Sequence, residues 1–144
     1  MKFRLEHVLR LREFDEKKAK LELGNVLGKI SAVNFEILEA KNQILASDLE
    51  YNKFLSKPRK LHEIRIFSFI MDSLQRKINK KENDLTILNK ELEEKKNNLR
   101  IAEGKLKVLE KLKEKQYEKF KNKMNKKELN EVDDHTIMKY GEKA

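Results

Sequence analysis

Two ladders of apolar residues, each stepping alternately by three and four positions, constrain this chain more than any other feature. The first runs Leu23, Val26, Ile30, Val33, Ile37, Ala40, Ile44, Ser47, Tyr51 and Phe54, and only Ser47 interrupts it. The second runs Ile64, Phe67, Met71, Leu74, Ile78, Lys81, Leu85, Leu88, Leu92, Lys95, Leu99, Ala102, Leu106 and Leu109. A mean step of 3.5 keeps such side chains on one seam of a slightly supercoiled helix, where they insert between the residues of a facing helix. The first register extends backwards through Ala19, Leu9 and Leu5, with Glu16 and Arg12 between them, so the first helix is expected from about residue 3. Lys81 and Lys95 break the second ladder; their aliphatic stems are expected to lie along the seam with the ammonium groups in water.

Between the ladders stands Ser56-Lys57-Pro58-Arg59-Lys60, with the chain's one proline. Proline disfavours helix at the preceding residue and offers no amide donor, while its fixed φ suits the first turn of a new helix. The expected fold is therefore all-α: two long helices forming an antiparallel coiled-coil hairpin, a single domain over 1–144. Helix one covers about 3–55, the turn 56–60 and helix two about 61–128, with a frayed tail over 129–144 where periodicity fades. At ~1.5 Å per residue the helices would be about 80 Å and on the order of 100 Å long. Pairing outwards from the turn puts both termini towards one tip, with the end of helix two overhanging helix one. Gly24, Gly28 and Gly104 fall off the two seams, where each costs ~1 kcal/mol relative to alanine; no function is assigned to them.

Composition supports few, long elements. Only 38% of the residues are hydrophobic and 41% are charged, too polar for an ordinary globular core, and four glycines with one proline leave little material for turns. The regular apolar spacing argues against disorder, the other outcome of such polarity. The absence of cysteine excludes disulfides and thiolate chemistry. The N-terminus carries scattered charges where a secretory signal would have an apolar run, and Ile64 to Leu74 is far short of the ~20 apolar residues that cross a bilayer. A soluble protein is expected.

The net charge of +9 is uneven. From Lys111 to Lys127 eight lysines face only Glu114 and Glu118, which reads either as a solubilising helix end or as a docking surface for an acidic partner. Elsewhere Lys and Arg alternate with Glu. No aromatic residues are interleaved with a basic groove, so nucleic-acid binding ranks last.

Nothing in the chain points to catalysis or to a cofactor. A two-helix rod offers almost no concave, partly dry site, and His7, His62 and His135 are mutually isolated, without the spacing a zinc site needs. There is no phosphate-binding loop and no glycine-rich dinucleotide turn. A binding or coupling element, and not an enzyme, is the expectation.

Phe3-Arg4-Leu5-Glu6-His7-Val8-Leu9-Arg10-Leu11-Arg12-Glu13, followed by Glu16, Ala19 and Leu23, resembles the opening of the flagellar export protein family FliJ. Ala102-Glu103, Leu109 to Lys115 with Tyr117, and Lys127 to Glu131 resemble that family's late-helix pattern. The resemblance implies a cytoplasmic component of the flagellar type III export apparatus, peripheral at the inner face of the cell membrane and shaped like the γ stalk of rotary ATP synthases. It implies partners: the hexameric export ATPase, the cytoplasmic domain of the membrane export gate, and escort chaperones of late substrates. Carried onto this sequence, the ATPase-facing tip includes Phe3, Leu5, Val8, Leu9 and Arg12 from helix one and Leu109, Leu112, Tyr117 and Phe120 from helix two. The gate-facing part includes Tyr51, Phe54, Phe67, Phe69 and Ile70.

The residues themselves favour partners at both places. Leu9 and Leu11 point in different directions on a helix, so one facing helix cannot cover both. Phe69 and Ile70 spread apolar surface beyond the seam, as interfaces do, whereas Phe67 sits on the seam and is expected to close the hairpin. A generic structural or chaperone-like coiled coil is the competing reading. Because a hairpin satisfies its own seam, a monomer is expected, with self-association left open.

Overall fold

The computed structural model describes residues 2–143, and the side-chain surroundings of residues 2–138. Two α-helices, α1 (Glu6–Phe54) and α2 (Leu61–Lys143), pack against each other as a helical hairpin, and the described residues contain no strand. The chain divides into two compact units, Ala19–Leu99, and Met1–Lys18 with Arg100–Ala144.

In the Ala19–Leu99 unit the seam is the one the ladders predict. Every ladder position from Leu23 to Phe54 and from Ile64 to Leu99 is buried or half-buried, including Ser47, Lys81 and Lys95. Val26 is only 2% exposed, and Ala40 and Ile78 are nearly as well covered. Ile37, Ala40 and Ile78 form one core cluster, ringed by Val33, Ile44 and Leu85. Small Ala40 leaves room for the branched Ile78 side chain between neighbouring turns, the knob-and-hole arrangement that fixes register. Burial of such an aliphatic side chain contributes about 1.5–3 kcal/mol.

The seam lysines do not simply reach water as expected. Lys81 Nζ lies 2.6 Å from Glu36 Oε2, and Lys95 Nζ 3.4 Å from Glu22 Oε2. Both lysines are thus tied to α1 by ion pairs two heptads apart. The Lys81 ammonium, through its hydrogen bond and its charge, holds the Glu36 carboxyl below its ordinary value; Glu36 in turn holds Lys81 above its own.

The connection explains why both helices stop. Ser56 Oγ donates to the Lys53 carbonyl at 2.6 Å, closing the last turn of α1. Pro58 lies in the connection and not in the first turn of α2, which begins at Leu61 with the Lys60 carbonyl accepting from the Glu63 amide at 3.1 Å. Arg59 reaches back, its Nε donating to the Phe54 carbonyl at 3.2 Å and its guanidinium lying 4.4 Å from the Phe54 ring centre.

In the other unit, Phe3, Leu9, Leu106 and Leu109 form a core cluster with Val8 packed against it. Leu5, placed on the seam by extrapolation, is instead 38% exposed. Helix α1 begins only at Glu6, so residues before it leave the helical register; the Phe3 carbonyl accepts from the Glu6 amide at 3.1 Å, and the Phe3 ring takes the seam position. Fading periodicity predicted a frayed tail from residue 129, yet α2 continues to Lys143. Backbone hydrogen bonds within a helix need no facing partner, so the helix runs on past the last buried residue of its seam.

Two outcomes test this packing. Ile78→Ala should destabilise the chain by about 2–5 kcal/mol, while Val108→Ala, on an exposed face, should stay within ~0.5 kcal/mol, both read by urea unfolding. The Glu36–Lys81 pair should stabilise fully between the ordinary values of 4.5 and 10.5. Its contribution should fade as pH falls through the lowered Glu36 value or rises through the raised Lys81 value. The difference in thermal midpoint between the unaltered chain and Glu36→Gln, followed against pH, measures this.

Candidate functional site

In the unit that contains the chain ends, the seam closes at Leu109, which is buried, and every described side chain from 110 to 138 is exposed. Lys113 Nζ lies 3.0 Å from Glu6 Oε2, an ion pair between the helices of this unit. Around that pair the N-terminal residues and α2 leave an open groove of about 770 Å³, lined by Phe3, Leu9 and Tyr117 together with Lys2, Glu110 and Glu114 among others. Further along α2 the ladder weakens into Lys113, Gln116 and Phe120, and Phe120, with Tyr117 and Met124 beside the seam, forms an apolar strip; the three stand 41%, 57% and 42% exposed. Leu112, on a neighbouring face, is exposed as well. This is a seam without a facing helix among the described residues, bordered by the eight lysines between 111 and 127.

Not all of the residues expected at this tip are available to a partner. Phe3, Leu9 and Leu109 are buried against one another, and Val8 packs on them, so these four build the platform. Arg12 pairs with Asp15 at 3.4 Å along its own helix. Leu5, Leu112, Tyr117 and Phe120 remain exposed. Leu11 and Phe14 join them, 52% and 62% exposed. Phe14 went unnoticed because it lies off the seam; its spacing of three from Leu11 was the available signal.

Near the connection, a second aromatic group has formed within the Ala19–Leu99 unit. The Phe67 ring lies 4.9 Å from that of Phe54 and 5.5 Å from that of Tyr51, both tilted, in the range where ring edges and faces attract. Tyr51, Phe54 and Phe67 are half-buried in closing the hairpin, as expected for Phe67. Phe69, 67% exposed, and Ile70 point outwards, with Ile66 beside them.

The family model described as Flagellar FliJ protein matches residues 1–144, the whole length of the chain. The chain belongs to the FliJ family. No curated protein and no solved structure matches it. FliJ membership brings a role related to flagellar protein export, and a helical hairpin is a form suited to coiled-coil binding.

Among the described residues, no helix is long and apolar enough to cross a membrane, and no three His, Cys, Asp or Glu side chains are gathered to hold a metal ion. The described residues also include no buried polar or charged side chain. Each of the two regions offers exposed apolar side chains on a helix, bordered by charge.

The division between platform and free surface near the connection is testable. Phe67→Ala should cost on the order of 2 kcal/mol of stability, because it removes the ring on which Tyr51 and Phe54 rest. Phe69→Ala should change stability by less than ~0.5 kcal/mol. Chemical unfolding of the two variants distinguishes them.

Proposed function

We propose that this FliJ-family chain is a non-catalytic coupling and assembly factor of the flagellar type III export apparatus, which binds the hexameric export ATPase through the end that carries its N-terminal residues and the overhanging part of α2. The observation that carries this reading is the exposed apolar strip of Tyr117, Phe120 and Met124 beyond Leu109, which holds the seam position at Phe120 and the positions next to the seam residues Gln116 and Lys123. A helix that has lost its intramolecular partner but keeps its apolar spacing is suited to enter a cavity or to lie against helices of another protein. The surrounding lysines favour an acidic rim on that partner and would speed its encounter. Leu5, just before α1, and Leu11 and Phe14 on it give the same end further apolar surface.

The outward-facing Phe69 and Ile70, on the firm base of Tyr51, Phe54 and Phe67, support a second contact, with the cytoplasmic domain of the export gate. Such contacts would hold the protein at the inner face of the cell membrane without a membrane segment of its own. Escort chaperones of late substrates would share the remaining helical surface.

A paired variant separates recognition from folding. Leu112→Asp with Phe120→Asp should leave helicity unchanged, since both side chains are exposed. Binding to the cognate export ATPase should weaken by about thirtyfold or more, as loss of an interface anchor costs ~2 kcal/mol or more. Unchanged affinity and unchanged ATPase stimulation would overturn the proposal.

A further inference from the structure

Helix α1 carries a second heptad ladder that α2 does not use. Leu21, Phe35, Leu38, Leu45 and Leu49 share alternating steps of three and four with Gly24, Gly28, Ser31 and Asn42. Each position lies two residues before one of the inner seam. Two residues turn a helix through about 200°, so this ladder faces almost directly away from α2. All of its members are exposed, the five large ones between 56% and 66%. A side chain added at Gly24 or Gly28 would meet nothing within 4 Å. Every residue concerned lies in the Ala19–Leu99 unit.

The ladder is complementary to itself when a second copy is laid against it in the opposite direction. Layers of an antiparallel pair set Phe35 opposite Leu38 of the other copy. Moving outwards, Ser31 meets Asn42, then Gly28 meets Leu45, and then Gly24 meets Leu49. Leu45 and Leu49 fall on glycines, and Ser31 and Asn42 fall on each other, where a hydroxyl and an amide can bond; Leu21 lies at the edge of the contact, opposite Asn52. Each layer occurs twice by symmetry, giving a contact of about 40 Å along the helix at ~1.5 Å per residue. Between Gly24 and Leu49 the flanks do not oppose it: Glu39 falls near Ala32, Lys41 near Asn34 and Asp48 near Leu27, and the one like-charged pair, Lys18 near Lys53, lies beyond that span at its ends. A parallel arrangement would instead place Gly24 on Gly24 and Gly28 on Gly28, leaving voids beside overcrowded layers.

We infer that the outward face of α1 is a self-association surface, on which a second copy of this chain docks antiparallel with Leu45 and Leu49 of each copy seated over Gly28 and Gly24 of the other. The hairpin seam is then complete within each copy, and the dimer adds a seam on the opposite side of α1. This departs from the monomer expected when only the inner seam is considered, and it does not rest on the proposed ATPase contact.

Sedimentation equilibrium of the full chain, from micromolar to several hundred micromolar, provides the test. The unaltered protein should shift from its 17.2 kDa monomer to twice that mass. Gly28→Leu should raise the dimer dissociation constant at least about tenfold by filling the hole that receives Leu45. Its helicity should be kept or increased, because leucine favours helix over glycine. Combining it with Leu45→Gly, which exchanges knob and hole, should restore association. Because the chain has no native cysteine, Gly24→Cys and Leu49→Cys report direction: under oxidation the mixture should form a disulfide-linked dimer and neither variant alone should. A protein that stays monomeric throughout the range would overturn the inference. So would a dimer indifferent to Gly28→Leu, or linkage of each cysteine variant to itself.

Discussion

The interdigitation of one apolar stripe on α1 with one on α2 is the interaction on which the rest depends. A chain with 41% charged residues has few apolar groups, and none of its helices has a core to rest on except the other helix. Alternating steps of three and four concentrate those groups on a single strip, so that residues such as Val26, Ala40 and Ile78 are buried in a fold only two helices thick. Glu36 with Lys81 and Glu22 with Lys95 then work as register marks: a slip of one heptad would separate both pairs and misalign the seam together. Stability and register have the same origin, which leaves the outer faces free to vary with function.

The hairpin was legible because helical period and proline chemistry are local properties. Both ladders, the position of the connection and the structural role of Phe67 could be read without knowing what faces what. The glutamate partners of Lys81 and Lys95 could not, since choosing among many exposed carboxylates requires the register between helices, and that exists only once both are packed. The exchange of Leu5 for Phe3 on the seam was hidden for a different reason: extrapolating a helical register assumes that the helix has begun, and α1 begins at Glu6. The continuation of α2 to Lys143 reflects backbone bonding that apolar periodicity does not report.

For the two candidate sites, the sequence singled out apolar residues without separating those that support the fold from those left on its surface. Phe3, Leu9 and Leu109 are as apolar as Leu112 and Phe120, yet the first three hold the hairpin closed while the latter two remain open to a partner. Only packing separates support from surface. The same distinction runs along α1, where one ladder is covered by α2 and the other, interrupted by Gly24, Gly28, Ser31 and Asn42, is exposed. A two-helix hairpin thus leaves apolar side chains exposed on the same helices whose other faces hold the fold together.

The most direct test of the central claim is the distance between the two helices within one molecule. Ala32 and Ile87 line the same shallow hollow on the flank of the seam and can each be replaced by a spin-labelled cysteine. Pulsed electron resonance should then give one narrow short distance, set by a helix spacing of ~10 Å plus the label arms, that persists when labelled protein is diluted with unlabelled. A long distance, or a short one that disappears on dilution, would mean that the two stripes find their partners in different molecules and that the hairpin does not exist.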